Sequence, residues 1–134
     1  MREYKFRAKA IEEMADGDQL VYGFGVHVVE LVNGEKEYVL HTENGTYQVD
    51  PKTVGQYTGD KNRGYEGDIL GWVEPIRGEH GDIEDWEHCR GVVEWDNERS
   101  GFIVRCANGN EWLDALMNTT VIGNRWDNPN LLGG

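Results

Sequence analysis

The densest gathering of groups able to bind a metal or move a proton is His80, Asp82, Glu84, Asp85, Glu87, His88 and Cys89. On a helix His80, Glu84 and His88 would share one face, at positions i, i+4 and i+8. Gly81 weakens such a helix and the spacing fits no familiar zinc pattern, so a solvated acidic loop is expected over Pro75 to Arg90. Nucleophilic chemistry has less to work with. Ser100, the only serine, lies between Arg99 and Gly101 without a nucleophile-elbow pattern, and neither Cys89 nor Cys106 has protease-like flanks. Tyr22-Gly23-Phe24-Gly25 imitates a phosphate loop, but no helix follows to offer its N–H groups. His27 and His41 sit in alternating strand patterns and are expected to be packed or surface histidines. Paired carboxylates for glycoside hydrolysis are set by a tertiary distance that spacing does not give. No catalytic constellation is recognisable, and neither a metal nor a cofactor is expected.

The elements that would carry these groups are strands. Val26 to Val32, Glu37 to Thr42 and Thr46 to Val49 are β-branched and aromatic runs separated by Asn33-Gly34 and Asn44-Gly45. Asn-Gly tolerates the positive φ of type I′ turns, so a three-stranded meander with two such turns is expected. Arg2, Lys5, Arg7 and Lys9 alternate with Tyr4, Phe6 and Ala8, which reads as a half-buried strand with its charges turned outward. Asp16-Gly17-Asp18 reads as a loop joining that strand to the meander. Five further short strands follow, centred on Tyr65 to Val73, Gly91 to Trp95, Phe102 to Cys106, Glu111 to Leu113 and Thr119 to Gly123. Turns fall between them, one at Asn108-Gly109-Asn110. The fold class is mainly β, an N-terminal antiparallel meander over residues 1–55 and a C-terminal SH3-like small barrel (β roll) over 56–134, with an open sheet as the alternative. Helix is scarce: Ile83 to Arg90 and Glu111 to Met117 alone have tolerable helical composition.

Composition narrows the partners. The 134 residues carry 25 acidic and 13 basic side chains, a net charge of −12 that repels phosphate backbones. No stretch has the charged start and apolar run of a secretory signal, and none approaches a membrane span, so a cytoplasmic protein is expected. There, Cys89 and Cys106 stay free thiols and the acceptor patterns at Asn44 and Asn118 carry no sugar.

Three blocks carry a resemblance. Tyr4-Lys5-Phe6-Arg7-Ala8, then Gln56-Tyr57-Thr58-Gly59 with Tyr65-Glu66-Gly67-Asp68-Ile69-Leu70, then Val121 to Leu132 resemble, in order, the signature blocks of the YopX-like family of phage and prophage proteins. The resemblance implies a phage or prophage origin, an SH3-type β roll in the C-terminal half and self-association; it implies no activity. The linker Asp60 to Gly64 is shorter than the family's, and the Pro75 to Arg90 insert is longer and more acidic. Read on their own physics, Glu66-Gly67-Asp68 form a turn feeding a buried strand. A partner-binding role for Tyr57, Thr58, Tyr65, Glu66 and Asp68 is the functional alternative, because loops between strands gather binding residues. Trp126, Leu131 and Leu132 are expected to close the core or an oligomer interface.

The resulting expectation is a non-catalytic, homo-oligomeric interaction or accessory protein that can also engage a host or phage protein. The alternative is nucleic-acid-related: an acidic DNA mimic, or direct binding through Trp72, Trp95, Phe102 and Trp112. An enzyme assembled from loops ranks last.

Overall fold

The computed structural model describes residues 4–12, 19–107 and 109–132, and the chain divides into two compact units, 1–57 and 58–134. Arg2, the Asp16-Gly17-Asp18 loop and Asn108 lie outside the described residues. Both units are built from antiparallel strands, and the longest helical segment among the described residues is a four-residue 3-10 turn.

The first unit contains two three-stranded sheets. One has the order β2 (Leu20–Gly23), β1 (Phe6–Lys9), β6 (Gly55–Gln56); the other runs β3 (Gly25–Glu30), β4 (Lys36–Thr42), β5 (Gly45–Val49). Ala8, Ala10, Val21, Leu40 and Val49 form the core between them. β1 departs from the expected alternation, because Arg7 and Ala8 are both buried. The meander is present, yet neither turn is a two-residue Asn-Gly turn. Leu31 to Glu35 form a wider loop in which the Asn33 carboxamide accepts from the Glu35 N–H at 3.0 Å. In the second hairpin Thr42 pairs with Gly45, so Glu43 and Asn44 are the loop residues and the positive φ falls on Gly45, at 124°. A glutamate has no ease at positive φ, and the chain passes that demand to the glycine. Tyr22 to Gly25 is a corner between β2 and β3, held by the Phe24 N–H donating to the His41 carbonyl at 2.8 Å.

The second unit is one five-stranded sheet with the order β10, β9, β8, β7, β11. Its strands are β7 (Asp68–Arg77), β8 (Ile83–Asp96), β9 (Gly101–Cys106), β10 (Gly109–Trp112) and β11 (Thr120–Asn124). The expected five strands are there, but β10 and β11 are the two edges, so the sheet is open and the expected barrel closure is corrected. Leu70, Trp72, Val93, Val104, Leu113 and Leu116 form the core on one face. The larger correction concerns Pro75 to Arg90. That segment is neither loop nor helix: β7 and β8 continue as a hairpin through Val73↔His88, Glu74↔Glu87, Pro75↔Trp86 and Ile76↔Asp85. Asp85 and Glu87 lie opposite Ile76 and Glu74, Glu84 falls in a bulge between Ile83 and Asp85, and the ladder overrides the weak strand propensity of Asp and Glu.

Candidate functional site

Within the second unit, the Tyr65 to Leu70 block and the Val121 to Leu132 block become neighbours around the start of β7. Gly64, at φ 68°, lies so close to the Asp68 carboxylate that a Cβ there would strike it. The Asp68 side chain is only 3% exposed and its Oδ2 accepts from the Tyr65 N–H at 2.9 Å. Gly67, at φ 91°, leaves the space filled by the Trp126 ring, donates its N–H to the Val93 carbonyl at 2.8 Å and accepts from the Arg125 N–H at 2.9 Å. Asn124, paired with Asp68 across β7 and β11, is buried and works as a cap. Its Oδ1 accepts from Trp126 N–H (3.1 Å) and Asp127 N–H (2.9 Å). Asn128 closes the loop by accepting from the Asn124 N–H at 3.2 Å, against a Gly123 that has no room for a side chain. Each glycine here is needed because a side chain or a negative φ would displace its neighbour.

The proposed binding residues therefore divide. Tyr65, Glu66 and Asp68 belong to this bracket, where Tyr65 and Glu66 are half-buried. Thr58 donates its N–H to the Gly64 carbonyl (2.9 Å) and its hydroxyl to the Asp60 carbonyl (3.2 Å), shaping the loop before it. Tyr57 is the last residue of the first unit and donates its N–H to the Lys5 carbonyl at 2.8 Å. Trp126 packs over Gly67. Leu131 is half-buried, its carbonyl accepting from the Arg90 guanidinium at 3.3 Å, while Leu132 stays exposed.

Beyond the bracket, β7 and β8 leave the sheet as a two-stranded arm whose residues 73–77 and 83–88 are exposed on both faces. A cavity of about 570 Å³ opens at its base, lined by Trp72, Glu74, Glu87, Cys89, Cys106 and Glu111 and flanked by Leu131 and Leu132. Directly opposed residues share a face, so Trp72, Glu74, Glu87 and Cys89 converge there. The Glu74 carboxylate accepts from the Trp72 indole N–H at 3.1 Å and from the Cys89 thiol at 3.5 Å. Burial first, then Glu74, pushes the Cys89 thiol up to about 11. Burial and the carboxylates of Glu111 and Glu74 raise Cys106 as well. Both are free thiols, and at neutral pH they are protonated and poor nucleophiles. The cavity offers carboxylate oxygens as acceptors and an indole wall. Among the described residues no group of three His, Cys, Asp or Glu side chains gathers as metal ligands. His80 lies in the arm's tip, while Glu84 and His88 are spread along β8.

The aromatic set considered for base stacking is split. Trp72 is buried, Trp95 and Phe102 oppose each other edge-to-face at 5.1 Å, and Trp112 opposes Ile103 with the Arg99 guanidinium 5.4 Å from its ring centre. Alternation along β9 places Phe102 and Ile103 on opposite faces, so Trp95 and Trp112 do not share a platform. Sequence reasoning missed the arm and its cavity. The alternation of Asp85, Glu87 and Cys89 with Trp86 and His88 was the available signal.

No helix among the described residues is long and apolar enough to cross a membrane. Neither the comparison with curated proteins nor that with solved structures finds a match. The family model described as YopX protein matches residues 5–133, nearly the whole chain, and the chain belongs to the YopX family.

Proposed function

We propose that this chain is a non-catalytic, homo-oligomeric accessory protein of phage or prophage origin that works by holding other proteins. Family membership is consistent with that origin. The observation that carries self-association is the edge strand β3. Among the described residues Gly25–Glu30 pairs with β4 on one side only, and Val28 and Val29 are exposed. The strand has no lysine, arginine or proline and a single carboxylate, Glu30, at its end. Natural edges are usually blunted by charge, proline or a bulge, and this one is not. Two copies pairing β3 to β3 across a two-fold axis would join two three-stranded sheets into one.

Direct nucleic-acid binding is the weaker reading, given the net charge of −12 and the divided aromatics. Light scattering over a hundredfold concentration range, at low and high salt, tests the proposal. A salt-independent dimer or higher even oligomer, reduced to monomer by Val28→Lys, is the expected result. A strict monomer at every concentration sinks self-association.

A further inference from the structure

The arm is a large surface that neither the bracket nor β3 uses. Its two faces differ in chemistry. Glu74, Glu87 and Asp85 lie on one face with Ile76; Val73, Pro75, Trp86 and Ile83 lie on the other with Arg77 and His88. Trp86 is 53% exposed, and Val73 and Ile83 are exposed beside it. Residues 73–88 carry six carboxylates (Glu74, Glu79, Asp82, Glu84, Asp85, Glu87) against Arg77 alone.

The two edges differ as well. β8 pairs with β9 only from Val92 to Asp96, so over Ile83 to Gly91 its outer edge has no strand partner among the described residues. β7 pairs with β11 only from Asp68 to Gly71, but its bare outer stretch contains Pro75, which has no N–H to donate. An added strand therefore finds along β8 an open edge, bent by the bulge at Glu84 and with the Trp86 N–H held by the Asp85 carboxylate at 2.8 Å, and along β7 an edge from which Pro75 removes a donor for good. The tip is fixed in shape: Gly78 N–H donates to the Asp82 carbonyl at 2.8 Å and the Arg77 guanidinium to the Gly81 carbonyl at 2.8 Å.

We infer that the outer edge of β8, from Ile83 to Arg90, receives an extended, lysine- or arginine-rich polypeptide segment that adds as a strand to the arm. Charge selects that occupant. A second arm would bring a further excess of carboxylates against the first, whereas basic side chains at alternate positions meet Asp85 and Glu87. The intervening apolar side chains of the segment cover Trp86 and Ile83 on the other face, and backbone hydrogen bonds supply the rest. A polyanion mimic needs only the carboxylates and leaves the apolar face without a role. The inference rests on the reading of the chain as an interaction protein, but on a different strand from the one proposed for self-association.

The probe is an eight-residue peptide alternating lysine and valine, titrated into the full chain at an ionic strength of ~0.15 M, where exposed charges more than about 8 Å apart are screened. Amide NMR shifts and slowed hydrogen exchange confined to Ile83 to Arg90 are the expected result. Trp86→Ala should weaken binding about tenfold, as loss of an aromatic anchor does. Asp85→Lys/Glu87→Lys should abolish it, and a peptide with the same residues but its lysines grouped should bind at least as weakly as the Trp86 variant does. Trp86 lies outside both core clusters, so its variant keeps the question open to test if the charge-reversed one does not fold. No saturable shift, shifts that map elsewhere, or equal binding of the grouped peptide overturns the inference. A Val28→Lys monomer that still binds the peptide separates failure of self-association from failure at the arm.

Discussion

The two ends of β7 live under opposite rules. At its start, Gly64, Gly67, Asp68, Asn124 and Trp126 are held by fixed φ angles, direct hydrogen bonds and a ring packed on a glycine. Five residues beyond Asp68, the same strand runs out of the core, and from Val73 to Arg77 every side chain is exposed. The first region tolerates little change because each atom fills a place another depends on. The second is held by its strand pairing and its tip, so its side chains are available to something outside the chain. Residue types that look chemical in the bracket are architectural, and residues that look like solvated filler in the arm carry the surface.

Replacing Gly67 by alanine should sharpen that contrast most. It forces a Cβ into the Trp126 ring at a φ of 91°, and the combined strain and displacement should lower unfolding free energy by about 3 kcal/mol, read from the denaturant midpoint. Trp86→Ala, in the same unfolding experiment, should cost less than ~0.5 kcal/mol despite removing a larger group, because the ring is not in a core. An equal loss at the two positions would erase the distinction.

The smallest effect lies at the boundary, where Cys89 sits. With Cys106 replaced by serine, the alkylation rate of Cys89 should keep rising with pH to about 11 and not level off near the ordinary thiol value of 9.0. Because the folded state holds that proton more tightly, the associated stability is intact below 9.0 and is lost as pH climbs toward about 11. Alkylation levelling near 9.0 would show that Glu74 and the burial at the cavity do not shape this thiol.

Much of the strand pattern was legible because β-branched and aromatic runs alternate between turn residues, as in β4, β5 and β9. Turn geometry was less so: Asn-Gly suggested the positive φ, but which residue takes it depends on how Thr42 and Gly45 pair. β6 is two residues long and exists only because β1 offers it a ladder. The bracket's residues stood out in sequence, and the turn at Glu66-Gly67-Asp68 that feeds the buried start of β7 was expected; the neighbours of that turn were not. That Gly67 makes room for Trp126, fifty-nine positions along, is a tertiary fact. The arm was read as a loop because Asp and Glu are poor strand formers, and the stretch of β7 that pairs with them contains Pro75, which itself argues for a loop.

Pro75 has one more consequence, for growth. A ribbon that can be extended along both edges is a seed for a fibre, since each added strand presents a fresh edge to the next. This ribbon is stopped on one side. Should two arms ever meet along β8, the product would carry a proline-bearing strand on each outer flank, and the ribbon made by the two arms would gain no further strand by the same edge.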